Sequence, residues 1–330
     1  MTNATSTEPA ANSERPAVGR VHLHNRVLAR VSGPGTDKFL QGQFSQNLDD
    51  VVAGHSPRAA AATPKGRTYC LTRLVRDGDD ILMDLPAVLA EPITTHLRKY
   101  LMLFRGTTMT VDTDGGLTGL LGEAAARAIG GPCISELDAP GATLALDSGL
   151  LIRVESTAEG LARYELWHPG TDAPQPGDVP TITLADWIAS DISAGVATLG
   201  PETSESFVPQ MLNWQHLDGV HFKKGCYTGQ EVIARMHFLG QLKKSLFRLG
   251  VDGGSGSPAP GTALLAGDRS VGNLVNAVRF DDGHCELLAV IRHDASGESL
   301  VIEGMPEARL SLLPLPYAVP EREKSAQPDT

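Results

Sequence analysis

The most informative stretch of the chain is FKKGCYTGQEVIAR, residues 222–235. Thr228 followed three residues later by Glu231 is a capping-box pattern, which predicts a helix that begins just after Thr228. Cys226 then lies two residues before the helix cap, near the positive end of the helix dipole, with two lysines on its N-terminal side. These features favour a thiolate. A small buried cysteine flanked by solvated lysines explains the same residues equally well.

Length and charge limit what the protein can be. At 330 residues the chain is longer than one typical domain, so two or three modules are expected. Its net charge of −11 argues against a general nucleic-acid or membrane surface. The four cysteines, at positions 70, 133, 226 and 285, form no C-x-x-C, and the histidines offer no third metal ligand at a suitable spacing. We therefore expect reduced thiols, a cytoplasmic location and no metal site.

Both ends of the chain are predicted to be disordered. Residues 1–18 lack an apolar core, so they are neither a signal peptide nor a membrane anchor, and residues 319–330 are similarly polar. No apolar run approaches the length of a membrane span. The sequence therefore predicts a protein without membrane contact.

Between these ends, strand and helix signals alternate without a β-α-β rhythm. Thr63-Pro64-Lys65-Gly66 separates two strand-like runs and predicts a hairpin. Apolar periodicity predicts helices over 89–103 and 183–195, and a further helix over 118–131 that ends at its Gly pair. After residue 241, short strands at regular spacing predict a small β-barrel or sandwich. The pattern favours an α+β protein, and no G-x-G-x-x-G follows a strand.

The segment KGCYTGQE, residues 224–231, resembles the signature of the YgfZ family of folate-binding proteins, which are related to the glycine cleavage T-protein. Further blocks extend the resemblance over residues 20–318: KFLQGQFSQNL (38–48), the Lys-Gly-Arg turn (65–67), FVPQ (207–210) and LPLPY (313–317). The signature is highly specific. The chain is therefore identified as a member of this family.

The resemblance implies an α+β fold with three domains in a ring of the glycine cleavage T-protein type, including a C-terminal small β-barrel domain. The expected divisions are a disordered tail (1–18), a first α+β domain (19–117), a middle α+β domain with the signature (118–240), the barrel domain (241–318) and a second disordered tail (319–330). The central hole would hold a reduced folate, and the signature would face it.

The resemblance also implies a site and a role. Cys226 would be the reactive thiol, framed by Lys224, Gly225, Tyr227, Gly229, Gln230, Glu231 and Arg235. The cofactor would be tetrahydrofolate or a one-carbon derivative, whose anionic tail suits lysines and a helix N-terminus and whose pterin suits amide partners such as Gln41 and Gln43. The expected clients are iron–sulfur proteins or their assembly factors, and tRNA modification would be affected indirectly, without direct nucleic-acid contact.

A folate-dependent one-carbon transferase acting on an unknown acceptor is the alternative function. The T-protein has an Asp pair in its first hairpin, and the corresponding residues of this chain are Tyr69 and Cys70. It also carries a carboxylate in its middle domain, where this chain has EGLARYEL, 159–166. Aminomethyl transfer of the T-protein type is therefore not expected.

Overall fold

A computed structural model of the protein describes residues 9–172, 177–238, 242–253 and 256–319. The strands of this part are β1 (Gly19–His22), β2 (Arg26–Ser32), β3 (Arg58–Ala62), β4 (Thr68–Asp77), β5 (Asp80–Pro86), β6 (Thr108–Asp112), β7 (Gly116–Leu121), β8 (Thr143–Leu146), β9 (Gly149–Val154), β10 (Arg163–His168), β11 (Lys244–Asp252), β12 (Ala263–Ala266), β13 (Arg269–Arg279), β14 (Cys285–Arg292), β15 (Val301–Ile302) and β16 (Arg309–Leu313). The α-helices are α1 (Thr36–Gln43), α2 (Ala90–Leu101), α3 (Glu123–Gly130), α4 (Leu184–Ser193) and α5 (Gln230–Phe238). The α+β prediction is confirmed.

The first sheet has the strand order β3-β4-β5-β2-β6 and is antiparallel throughout. The predicted hairpin joins β3 to β4, with the Gly66 amide donating to the Thr63 carbonyl at 2.8 Å. Gly66 has φ +72, a conformation that favours glycine. The helix predicted over 89–103 is confirmed as α2, which buries Ile93 and Leu97. This sheet and its helices carry much of the largest apolar core.

The second sheet has the order β1-β7-β10-β9-β8, and it differs from the sequence-based expectation in two ways. The predicted helix over 118–131 is wrong for its first half, because β7 continues to Leu121 and Gly122, at φ +79, turns the chain before α3 begins. Strand β1 pairs with β7, so it belongs to this sheet although the expected first domain included it. The helix predicted over 183–195 is confirmed as α4, which starts with a capping box between Thr183 and Asp186.

The third sheet is built from the C-terminal part of the chain. Its order is β15-β12-β13-β14-β11-β16, and it curls into a half-barrel where a small barrel or sandwich was expected. Its inner face has its own apolar cluster, which includes Leu249, Val271, Leu287 and Ile302. The strands begin at Lys244 and end at Leu313, inside the predicted bounds of 241–318.

Residues 9–18 form an N-terminal strap, although the sequence predicted disorder through residue 18. Ala11 is fully buried, and its backbone exchanges hydrogen bonds of 2.9 Å with Arg279 and Asp281 at the end of β13. Arg15 pairs with Glu286 and lies over the Phe280 ring. The strap is ordered because it bonds to the third sheet, which is distant from it in sequence. Local amino-acid composition carries no information about such contacts. Residues 1–8 and 320–330 lie outside the described residues, so the disorder predicted there stays a prediction.

Candidate functional site

The signature loop, residues 222–229, is attached to α1 through Lys224. Its Nζ donates to the backbone carbonyls of Gln41, Phe44 and Gln46 at 2.8, 2.6 and 2.6 Å, and the residue is 9% exposed. Carbonyls at the C-terminal end of a helix lack partners within the helix and lie at the negative end of its dipole. An ammonium group has three donor hydrogens, and these three carbonyls use all of them. Lys224 therefore holds the loop to the end of α1.

Tyr227 packs against the same ammonium group. The Lys224 Nζ lies 5.0 Å from the centre of the Tyr227 ring, and the ring is buried. Burial lowers the pKa of the Lys224 amino group from 10.5 to about 7. The carbonyls and the ring face favour the charged form. Burial raises the pKa of the Tyr227 hydroxyl, which therefore stays protonated at neutral pH.

A pair of glycines fits the signature loop against the β3–β4 hairpin. Gly229 has φ +83, and a Cβ added there would lie 2.7 Å from the Thr63 carbonyl oxygen. A Cβ added to Gly66 would lie 2.8 Å from the Val232 side chain of α5. Both separations are far below normal van der Waals contact. The close approach therefore needs glycine on both sides, which ties the Lys-Gly-Arg turn to the signature.

Cys226 is exposed on this anchored loop. The neighbouring Gly225 has open space around its Cα, while Tyr227 on the other side is buried. The capping-box prediction is wrong: α5 begins at Gln230, and the Thr228 hydroxyl donates to the Gly42 carbonyl at 3.5 Å. The carbonyl end of α1 thus takes the hydroxyl that was expected to cap α5. Cys226 still lies just before a helix start, as predicted.

Some of the other predicted site residues already form hydrogen bonds within the chain, and others have polar groups free to bind a ligand. The Gln41 amide is used locally, donating to Asn47 at 3.1 Å and accepting from the Leu48 amide at 2.8 Å. Gln43 is 8% exposed, and its side-chain oxygen is buried without a hydrogen-bond partner. Gln230 is half-buried, and both Glu231 and Arg235 are exposed. Gln43 is therefore the amide that retains a free acceptor.

A charged cleft between the first and second sheets was missed by the sequence analysis. Arg26 of β2 donates to Glu165 of β10 at 2.7 Å and also pairs with Asp84 of β5. The Trp167 indole N–H donates to the same Glu165 at 2.8 Å. Burial would raise the pKa of Glu165, but Arg26 outweighs it and holds the pKa at about 2. Arg26 and Glu165 therefore form an ion pair that stays charged at neutral pH.

A second cluster continues the charged cleft. Arg58 donates to Glu155 at 2.8 and 2.5 Å, and Arg73 donates to the same carboxylate at 3.1 and 3.2 Å. All three side chains are buried. Burial alone would raise the pKa of Glu155, but the two guanidinium groups more than offset this and hold it well below its usual 4.5. Two cations share one anion here, whereas Arg26 faces two carboxylates, so the positive side of the cleft lies at Arg58 and Arg73.

Two cavities open onto these charges. One of about 30 Å³ is lined by Arg26, Arg58, Asp84, Glu165, Asp191 and Trp214, among others. Another, of about 210 Å³, shares Arg58 and adds Arg73, Glu155 and His216. The Trp214 indole N–H is buried without a partner. A charged residue inside an otherwise apolar strand, as in CLTRLV and RYELWH, is the sequence pattern that could have indicated this region.

Comparison with curated proteins supplies the family. The chain is 30% identical to proteins named tRNA-modifying protein YgfZ from Shigella boydii and Escherichia coli, over 95% of this chain and 97% of each relative. The chain belongs to the YgfZ family. No protein-family model matches it. The crystal structure of glycine cleavage system aminomethyltransferase T from Bartonella henselae has a TM-score of 0.70 and 17% identity, covering 92% of this chain and 86% of that one. The glycine cleavage T-protein fold predicted for this YgfZ family member is therefore confirmed.

Replacing Lys224 with methionine should destabilise the protein by about 3 kcal/mol, because three carbonyls lose a charged donor inside the structure. The matched control is Lys223→Met, since Lys223 is exposed and its change should stay within about 0.5 kcal/mol. Urea unfolding measures both. Equal stability of the two variants would mean that Lys224 does not anchor the loop.

Glu155→Gln should cost about 3–5 kcal/mol at neutral pH, because it leaves two buried guanidinium groups without their carboxylate. The folded-state pKa of Glu155 lies below the unfolded value of 4.5, so its stabilisation is complete above pH 4.5 and is lost as the pH falls. The difference between wild type and variant should therefore shrink below pH 4.5 in urea unfolding. Glu298→Gln, in an exposed pair with Arg269, should change stability by about 1 kcal/mol at most. A difference that stays constant with pH contradicts the assignment.

Proposed function

We propose that this protein binds a reduced folate in the charged cleft and supports iron–sulfur enzymes, with Cys226 as its reactive thiol. The observation that carries the proposal is the exposed thiol on an anchored loop. Such an arrangement presents a nucleophile or metal ligand to another molecule at a fixed position. Family membership supports a YgfZ-like role, and the relatives are named as tRNA-modifying proteins.

The polar groups of the cleft complement the chemistry of a folate. A pterin ring donates through its amino and ring N–H groups, which suit the carboxylates of Asp84 and Glu165, and the unpartnered Trp214 N–H suits a ring acceptor. The glutamate tail is anionic, and Arg58 and Arg73 share a single carboxylate. When bound, a tetrahydrofolate would supply a one-carbon unit or a redox-active ring. The groups suited to the pterin line the cavity of about 30 Å³, and those suited to the tail line the cavity of about 210 Å³. Ligand sites usually measure about 300–1,000 Å³, so the proposal requires the cleft to open on binding.

The residues predicted to surround Cys226, and the two predicted glutamines, have different roles in this proposal. The Lys224 ammonium group is fully used in holding the loop, and the Gln41 side chain is bonded to Asn47 and to the Leu48 amide, so neither is assigned to the folate. Gln43 has a buried oxygen free for a ligand N–H. The remaining frame residues shape or border the loop: Gly225, Tyr227, Gly229, Gln230, Glu231 and Arg235.

The thiol is proposed to act on an iron–sulfur client. In the described part of the chain, no group of three His, Cys, Asp or Glu side chains is placed to hold a metal ion, so a cluster contact would need ligands from the client. Likewise, no described helix is long and apolar enough to cross a membrane. We propose a cytoplasmic protein whose effect on tRNA is indirect, in keeping with a net charge of −11.

The carboxylates of the cleft do not favour the alternative of aminomethyl transfer. Tyr69 and Cys70, which stand at the positions of the T-protein's Asp pair, are both buried. Glu165 is available in the middle sheet, but Arg26 holds its pKa at about 2. A general acid or base works best when its pKa is near the operating pH. Glu165 is therefore suited to binding and poorly suited to proton transfer.

Calorimetric titration with 5-formyl-tetrahydrofolate tests the folate proposal. Wild type should bind, and Trp214→Phe, which removes one N–H donor and keeps most of the ring volume, should weaken affinity about tenfold. Cys226→Ala, on the exposed loop, should bind as wild type does. Absence of binding by wild type contradicts the cofactor assignment, whatever the variants do.

Complementation of a gene deletion tests the thiol. Activity of iron–sulfur enzymes should fall in the deletion strain and should not be restored by Cys226→Ala. The control is Cys133→Ala, since Cys133 is another exposed cysteine and lies outside the signature. Full restoration by Cys226→Ala would remove the thiol from the mechanism while leaving the folate result untouched.

A further inference from the structure

A third cavity, of about 300 Å³, lies where the Lys-Gly-Arg turn, the turn over residues 200–206 and the third sheet meet. We call it the junction pocket. Its polar lining comprises Arg67, Glu202, Thr203, Ser206, Lys244 and Asn273, and its apolar lining comprises Phe207 and Met211. It shares no lining residue with the two cavities of the charged cleft. The junction pocket is therefore a separate place for a ligand.

Two cations of the junction pocket have no carboxylate partner among the described residues. Arg67 donates one N–H to the Ser206 carbonyl at 2.7 Å and retains the rest of its guanidinium donors. Lys244, half-buried at the start of β11, makes no ion pair in the described chain. Glu202 is the one acidic residue of the lining, and it is exposed. With two cations and one exposed carboxylate in its lining, the junction pocket carries a net positive charge.

The walls of the pocket are held in place without a ligand. Glu205 has φ +58, an unusual value for a residue other than glycine, and its amide donates to the Thr68 carbonyl at 2.8 Å. Gly261 has φ +86, and a Cβ there would lie 3.3 Å from the Glu202 side chain. Strained backbone held by its surroundings is concentrated at binding sites. A fixed pocket also reduces the entropy lost on binding.

We propose that the junction pocket binds a small oxyanion, the phosphate or carboxylate group of a polar metabolite. The planar guanidinium of Arg67 can donate to two oxygens of such a group, and the Lys244 ammonium adds a second charge from the third sheet. Ser206 adds a hydroxyl-bearing residue to the same lining, whereas the buried Thr203 hydroxyl is bonded to Gly200 and holds the turn. This gives a role to the arginine of the Lys-Gly-Arg turn, which the folate proposal does not use.

Two-dimensional NMR titration with inorganic phosphate and, separately, with L-glutamate tests the proposal. In the wild type, backbone amide signals of Thr203 and Ser206 should shift and saturate with at least one of the anions. Saturation with phosphate identifies a phosphate site, and saturation with L-glutamate identifies a carboxylate site. Lys244→Gln and Arg67→Gln should each weaken the binding at least about tenfold, the effect expected for loss of a charge-assisted hydrogen bond.

The matched control is Lys243→Gln, which removes the same charge from the adjacent exposed residue outside the lining. It should bind like the wild type. Failure of both anions to give saturable shifts overturns the proposal. Equal weakening by Lys243→Gln and Lys244→Gln also overturns it, because the effect would then be general electrostatic attraction. Neither result bears on folate binding in the charged cleft.

Discussion

The buried ammonium group of Lys224 is the contact on which the candidate site depends. It joins the signature loop to α1, although 180 residues separate Lys224 from Phe44. One cation accepts no bonds and donates to three carbonyls, one in the last turn of α1 and two in the residues that follow it. Because the same group lies over Tyr227, it also fixes the ring that follows Cys226. The thiol is exposed at a defined position because its neighbours are not free to move.

The space between the first and second sheets contains several buried charged side chains. The rest of the interior is largely aliphatic, but here arginines and carboxylates meet in the buried region. Buried ion pairs add little net stability compared with apolar packing, since removing ions from water is costly. Under the proposed function, these charges are retained for ligand recognition. In both the cleft and the signature loop, each buried charged group described here is paired with specific polar groups.

Local signals in the sequence predicted the elements whose determinants are also local. The Pro-Gly turn at 63–66 and the apolar spacing in α2 and α4 lie within the segments that they organise, and all three elements were predicted. The family resemblance supplied the fold and located the signature. The sequence-based predictions failed where a distant partner decides. Thr228 contacts α1 instead of capping α5, and β7 occupies the start of a predicted helix up to the turn at Gly122. Ala11 pairs with a residue at the end of a strand from the far end of the chain. The pairing of Arg58 and Arg73 with Glu155 also depends on contacts between sheets that no local pattern records.

The N-terminal strap has a consequence for how the protein is made. Arg15 and its partner Glu286 are separated by 271 residues, so the strap is synthesised long before the sheet that receives it. At translation rates of about 5–20 residues per second, the delay is on the order of ten to fifty seconds. During that time the strap has no docking surface. Closure of the strap over the third sheet therefore follows the synthesis of β13 and β14, and it is a late step of folding on the ribosome.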